Sequence, residues 1–260
     1  MAMVAAAAAA AWFYFRGCRI CETPWQRQAL FWTGWASLYL SAQSRLDYYS
    51  EHAFFIRQIQ DSFLHHTGPF LIAASCSGAV LLEGLPQWVI KLAKKSSALS
   101  MMRQGVAALN HPFIAVPLFF GVTWFWLIPR LQLVAMLDPQ WNALMDWSMV
   151  INGLMFWGLA LNGRALGNTR LSPGYRAAMM LAAIPPQIAV GALLFSAPHP
   201  LYPVYSLCGL IFPGIGPLVD QQIGGLILWI HGAMMSVFGI LIVAKREWLG
   251  QQQESAPVSA

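Results

Sequence analysis

Three ionisable residues lie four positions apart in the apolar stretch FFIRQIQDSFLHHTGPFLI: Arg57, Asp61 and His65. This spacing places their side chains on one face of a helix. Exposing that face to lipid hydrocarbon would cost several kcal/mol of free energy for each ionised side chain. We therefore expect the face to point at a protein interior, a water-filled cavity or a ligand. The pattern is typical of a functional site, and its alternative is a simple salt bridge between Arg57 and Asp61.

A second polar run, Gln58, Ser62 and His66, lies beside the first. Imidazole and carboxylate groups bind copper, zinc and iron, so we interpret His65, His66 and, on a later helix, His231 as candidate metal ligands. Thioether sulfur would favour cuprous copper, and the nearby candidates for it are Met145, Met149, Met234 and Met235. The competing interpretation is a hydrogen-bonded histidine pair that ties helices together, a structural His231, and methionines in ordinary core packing.

The composition is that of a polytopic membrane protein. Hydrophobic residues make up 58% of the 260 positions and charged residues 10%, against about 25% charged residues in an average soluble domain. A bilayer core of about 30 Å needs about 20 apolar residues per helix, so we predict an all-α transmembrane helix bundle. Its seven candidate spans are 1–15, 29–43, 53–82, 111–129, 140–161, 177–197 and 223–244. We expect one transmembrane domain over 1–250 and a disordered C-terminal tail over 251–260.

The basic residues predict the orientation, because lysine and arginine tend to stay on the cytoplasmic side of a membrane. Twelve of the fifteen lie after spans one, three, five and seven, so the N-terminus is expected outside and the C-terminus inside. The net charge of +5 reflects this topology and gives no reason to expect a nucleic-acid partner. The twelve are Arg16, Arg19, Arg27, Lys91, Lys94, Lys95, Arg103, Arg164, Arg170, Arg176, Lys245 and Arg246.

Most acidic residues sort to the opposite, outer side, which we therefore expect to carry the functional site. The residues predicted to form a polar site or to bind a partner are Glu51, Arg57, Asp61, Asp146, Asp220 and Gln221. Asp220 has a second possible role, because an acidic residue there can cap the free amides of the helix that it begins. The long loop 198–222 is rich in proline and aromatic residues, and we expect it to fold over the helix ends as an ordered lid.

Several stretches within residues 39–244 carry a resemblance to a known family: RLDYYSEHAFF, LHHTGPFLI, HPFIAVPLFFG with the following WLIP, WSMVINGLMFW, LYPVYSLCG and DQQIGGLILW. With these motifs the chain resembles the CtaG-like family of polytopic cytochrome c oxidase assembly factors. The resemblance implies a multi-spanning bacterial protein associated with copper-dependent maturation of the oxidase. The family typically has histidines where this chain has Arg57 and Asp61, so only His65 and His66 remain of that motif.

The function predicted from the sequence is that of a cytochrome c oxidase assembly factor in the bacterial cytoplasmic (inner) membrane. The expected partners are the lipid bilayer and a subunit of a haem-copper oxidase, with copper as a possible cofactor and a metal-free role as the competing hypothesis. A copper permease and a haem-binding membrane electron carrier are two further hypotheses for the function. We do not predict an enzyme, because the sequence has no nucleophile with an adjacent base, no phosphate loop and no HExxH pattern.

Overall fold

The structure is a computed structural model that describes residues 2–89, 91, 105, 109, 111–163, 171–207, 212 and 214–255. Within these residues the secondary structure is helical and contains no strand, as the all-α prediction requires. The helices are α1 (Ala2–Ile20), α2 (Trp25–Gln43), α3 (Leu46–Ser50), α4 (Phe54–Ser62), a π-helical turn (Phe63–Thr67), α5 (Gly68–Ala74), α6 (Gly78–Gly84), α7 (Pro112–Trp126), α8 (Pro129–Leu137), α9 (Pro139–Asn162), α10 (Pro173–Ser196), α11 (Val204–Leu207) and α12 (Pro217–Ser255).

Local sequence signals set the ends of the two central helices. The Asp138 carboxylate accepts a hydrogen bond from the Gln140 backbone N–H at 2.8 Å, and Pro139 opens α9 at a position where the missing amide hydrogen costs little. Gly163, in the left-handed conformation at φ 66°, ends the same helix. The Ser172 hydroxyl caps α10 in the same way that Asp138 caps α9.

Among the described residues, three helices are long and apolar enough to cross a membrane: α9, α10 and the Pro217–Leu249 part of α12. Two further spans result if each of two bent helix pairs is counted as one, namely Phe54–Ala74 with Gly78–Gly84 and Pro112–Trp126 with Pro129–Leu137. The described residues therefore support three to five spans, and the predicted number of seven is not confirmed. The two remaining segments, 1–15 and 29–43, lie in helices α1 and α2, and each is only fifteen residues long. At about 1.5 Å per residue this is shorter than the bilayer core.

The third predicted span bends at a different place from the one that its sequence suggests. The span 53–82 carries Gly68-Pro69 near its middle, and because proline removes an amide donor the sequence predicts a kink there. Pro69 lies instead in the first turn of α5, where a proline is tolerated. The preceding turn is π-helical and contains both histidines of the motif. The sharp bend, 77°, follows at residues 75–77, where Cys76 has a φ of 55°.

The apolar core lies beneath the face that carries Arg57, Asp61 and His65, which we call the polar stripe, and supports it. Phe119 stacks on Phe156 with ring centroids 3.9 Å apart, and Trp157 and Met180 complete a fully buried cluster around them. Helices α10 and α12 pack so closely that a side chain on Gly191 would collide with the backbone of Gly225.

The last helix runs further than the sequence suggests. Helix α12 continues to Ser255, five residues into the predicted tail, and residues 256–260 lie outside the described part of the chain. Most of the segment between the third and fourth predicted spans is also outside it, as are Arg164 and Arg170 of the basic set.

Candidate functional site

Arg57 lies at the centre of a buried ionic cluster between α4 and α9. Its guanidinium nitrogen Nε is 3.1 Å from Asp61 Oδ1, and its terminal nitrogens are 3.0 Å from Asp146 Oδ1 and 3.0 Å from Asn142 Oδ1. The side chains of Arg57 and Asp61 are only 4% and 13% exposed. The stripe on α4 therefore faces the protein interior, and the salt bridge within the helix is one part of a larger cluster. We call the end of the bundle that holds this cluster the Arg57 end.

Two carboxylates share one guanidinium in this cluster. Asp61 comes from the same helix as Arg57, whereas Asp146 comes from α9 and ties that helix to α4. Breaking a buried ion pair by removing one partner is strongly destabilising, because a charge then remains without compensation in a poorly solvated site. The cluster thus fixes the relative position of α4 and α9.

His65 lies one turn below Asp61 and is held by two other helices. Its Nε2 is 3.1 Å from the Asn152 side-chain oxygen on α9, and its Nδ1 is 3.4 Å from the Thr123 hydroxyl on α7. The imidazole also stacks on Phe119 with ring centroids 4.2 Å apart. Both ring nitrogens of His65 are therefore engaged by hydrogen-bond partners.

The three candidate histidines form a row from α4 towards α12. The ring centroids of His65 and His66 are 4.9 Å apart, and those of His66 and His231 are 5.9 Å apart. His231 Nε2 is 3.0 Å from the Thr67 hydroxyl, while His66 Nδ1 is buried and has no hydrogen-bond partner among the described residues. The sequence prediction thus selected three histidines that do lie together.

The arrangement of these side chains does not fit a copper ligand set. In the described part of the chain, no three His, Cys, Asp or Glu side chains are grouped as a metal ion would require. His65 uses both ring nitrogens on protein partners, and of the three histidines in the row His66 alone has a buried nitrogen without a partner among the described residues. Of the four methionines, Met149 lines the same small cavity as His65 and His66, whereas the other three lie elsewhere. Met145 packs beside Leu64 and Trp126, Met235 joins the core around Trp157, and Met234 is half exposed.

Asp220 and Gln221 join helices at the Arg57 end. The Asp220 carboxylate accepts hydrogen bonds from the backbone N–H groups of Phe54 and Phe55 at 2.9 and 2.8 Å. It therefore caps α4, whereas the sequence suggested a cap on its own helix. Gln221 accepts from the Leu201 N–H at 2.6 Å and donates to the Leu194 carbonyl at 3.0 Å, which ties α12 to α10 and to the loop between them.

Of the predicted loop 198–222, the part around Tyr202 and Tyr205 packs over the helix ends, whereas residues 217–222 belong to helix α12. Tyr202 stacks on Phe54 with ring centroids 4.4 Å apart, and its hydroxyl donates to the Leu127 carbonyl at 2.6 Å. Tyr205 accepts a hydrogen bond from Gln132 at 3.0 Å. Burial raises the pKa of both tyrosines above the ordinary value, so they remain neutral hydrogen-bonding groups.

Glu51 is the one predicted residue that lies away from the buried network. It is exposed in the turn between α3 and α4, so it belongs to the surface of the Arg57 end. The sequence prediction missed the neutral partners Asn142, Asn152 and Thr123, which complete the site from α7 and α9. In the sequence these three residues are marked only by being polar within apolar helices. That signal does not indicate which helix their side chains face.

These features define a class: an all-helical membrane protein with a buried network of charged, amide and imidazole side chains at one end of the bundle. The chain belongs to the cytochrome c oxidase caa3 assembly factor family (Caa3_CtaG), whose family model matches residues 11–250. The resemblance seen in the sequence motifs is thereby confirmed. No curated protein and no solved structure gave a significant match to the chain.

Proposed function

We propose that this protein is a non-catalytic assembly factor for a haem-copper oxidase, acting in the bacterial cytoplasmic membrane through contact with an oxidase subunit. The observation that carries the proposal is the family match over residues 11–250, which covers nearly the whole chain. The buried network supports a role in recognition, because hydrogen bonds and ion pairs join helices α4, α7, α9, α10 and α12 at the Arg57 end. A rigid surface there would suit the docking of a partner.

The orientation proposed for the chain places the Arg57 end outside and the C-terminus inside. Twelve of the fifteen basic residues favour it, and at the opposite end Arg176 and Arg246 bind the last carbonyls of α5 and α9. Reporter fusions after residue 250 should be active in the cytoplasm. An outward-facing C-terminus would contradict this orientation.

A transport role through the bundle has less support. A permease needs polar groups that continue from one side of the membrane to the other, whereas His65 and His66 pack against Phe119 and Trp157, two fully buried apolar side chains. A haem carrier needs an open slot between two histidines on facing helices, and the rings of His66 and His231 are already close neighbours.

The test is deletion of the gene in a bacterium that uses the oxidase. We expect membranes of the deletion strain to lose assembled oxidase and its activity, and a plasmid-borne copy of the wild-type gene to restore both. Normal oxidase levels in the deletion strain would refute the proposal. Added copper separates the two versions of the role: rescue by copper would favour metal delivery, and a persistent defect would favour assembly through protein contact.

A complementation experiment with His65→Gln and His66→Gln examines the copper version further. Glutamine keeps a hydrogen-bonding group at each position but is a poor copper ligand. If the pair acts only within the polar network, the double variant should restore the oxidase and retain the same copper content as the wild-type protein. Loss of both activity and copper from a folded variant would make the pair a ligand set.

A further inference from the structure

A small cavity lies between the ionic cluster and the histidine row. It has a volume of about 20 Å³ and is the space into which the two polar runs of α4 and the π-helical turn face. A cavity needs roughly 10–15 Å³ to hold one water molecule, so this one accommodates a single small ligand. Its lining residues are Gln58, Asp61, Ser62, His65, His66, Thr123, Met149 and Leu228.

Two buried polar atoms of this lining have no hydrogen-bond partner in the part of the chain that the structure describes. They are the amide nitrogen Nε2 of Gln58 and the imidazole nitrogen Nδ1 of His66, on residues that are 2% and 8% exposed. A third atom, Asp61 Oδ1, is paired with Arg57 Nε at 3.1 Å but makes no well-aligned hydrogen bond. Buried polar groups are nearly always hydrogen-bonded, and ordered water is the usual partner where the protein supplies none.

The chemistry of these atoms matches one water molecule. The amide of Gln58 donates, and the carboxylate of Asp61 accepts. Neutral His66 with its proton on Nε2 accepts at Nδ1. One donor and two acceptors complement a water, whose oxygen accepts one hydrogen bond and whose two hydrogens donate two. A metal cation would instead meet the amide hydrogens of Gln58, which makes it a poor occupant.

We propose that the cavity is a binding site for one ordered water molecule, which links Gln58, Asp61 and His66. The water connects the Arg57 ion pairs to the histidine row across the π-helical turn, so that the two parts of the polar network form one unit. In this role His66 is a hydrogen-bond acceptor that completes the water site and is not a metal ligand. The inference does not depend on the proposed function in oxidase assembly.

The direct test is an experimental structure of the wild-type protein at a resolution that resolves ordered water. We expect one density peak within hydrogen-bonding distance of Gln58 Nε2, Asp61 Oδ1 and His66 Nδ1, and no such peak in the Gln58→Leu variant. An empty cavity in the wild-type protein would overturn the proposal. A peak that persists in Gln58→Leu would also overturn the assignment of Gln58 as the donor.

A second test uses the melting temperature of the full-length protein in detergent. Gln58→Leu and His66→Phe should each lower it, and the double variant should lose less than the sum of the two shifts, because both substitutions remove the same bridging water. Gln58→Leu combined with Ser172→Ala, at the cap of α10, is the matched control and should give additive shifts. Additive shifts for Gln58 and His66 would contradict a shared ligand.

Metal titration distinguishes the water from a cation. Cuprous and zinc ions added to the wild-type protein should leave its melting temperature unchanged. A rise that disappears in His66→Phe would show that a metal takes this place and would overturn the proposal.

Discussion

Replacing Arg57 by methionine tests how far the ionic cluster supports the Arg57 end of the bundle. Methionine keeps an unbranched apolar stem of similar reach but removes the guanidinium. The Arg57 guanidinium contacts the side chains of Asp61, Asp146 and Asn142 at 3.0–3.1 Å, and the substitution removes all three contacts. We expect Arg57→Met to be one of the most destabilising single substitutions in the chain.

The magnitude follows from these distances. At about 3 Å and an effective dielectric constant of about 20, each charge pair is worth roughly 5 kcal/mol of Coulomb attraction. Desolvation offsets part of it, and removal of one partner from a buried pair typically costs about 3–5 kcal/mol. A loss of this size lowers the ratio of folded to unfolded protein by about a hundred- to several-thousand-fold.

The assay is the amount of protein in the membrane together with its melting temperature in detergent. Arg45→Met is the matched control, because Arg45 is exposed and should tolerate the change. The triple variant Arg57→Met, Asp61→Asn, Asp146→Asn removes all three charges and should recover much of the loss, since neutral replacements of buried ion pairs are often tolerated. Equal behaviour of Arg57→Met and Arg45→Met would refute the reasoning and would mean that the cluster is solvated.

Three further predictions concern packing, capping and pH. Gly153→Ala should destabilise the protein by about 1–3 kcal/mol, because a side chain there would collide with the His65 carbonyl. Gly158 on the same helix faces open space, so Gly158→Ala should be neutral or stabilising. The melting temperatures of the two variants measure this difference, and equal values would contradict it. Asp220→Ala removes two hydrogen bonds that cap α4 and should cost about 1.5–3 kcal/mol in the same assay. Burial raises the pKa of Tyr205, so the folded protein should keep this residue neutral. Tyrosine in the unfolded chain ionises at about pH 10, so the free energy of unfolding should fall as the pH rises above that value. An ultraviolet titration that detects ionisation of Tyr205 at about pH 10 in the folded protein would contradict this prediction.

The sequence predicted the helical content and the inward-facing stripe because both depend on local periodicity. Spacing by four places Arg57, Asp61 and His65 on one face, and the cost of charge in hydrocarbon requires that face to be covered. The polar partners on α9 are 85 to 89 positions away along the chain, and Thr123 on α7 is 58 positions away. A single sequence does not indicate which polar residue of another helix will meet them.

Two local predictions differed from the structure for reasons that the packing makes clear. Asp220 caps α4 and not its own helix, because α4 begins beside it and offers two free amides in the folded protein. The sharp bend of the third predicted span lies at Cys76. Pro69 follows the π-helical turn directly and lies in the first turn of α5, where a proline is tolerated. In both cases the local signal was present, but a neighbouring element determined its outcome.

The most direct measurement of the central claim is site-specific photo-crosslinking in cells that are assembling the oxidase. A photoreactive amino acid at Glu51, exposed at the Arg57 end, should crosslink to an oxidase subunit. The same amino acid at Trp248, which is 62% exposed near the other end of α12, is the control and should not. Two results would contradict the claim that this assembly factor binds its partner at the Arg57 end. One is crosslinking to the oxidase from position 248 but not from position 51, and the other is no crosslinking from either position.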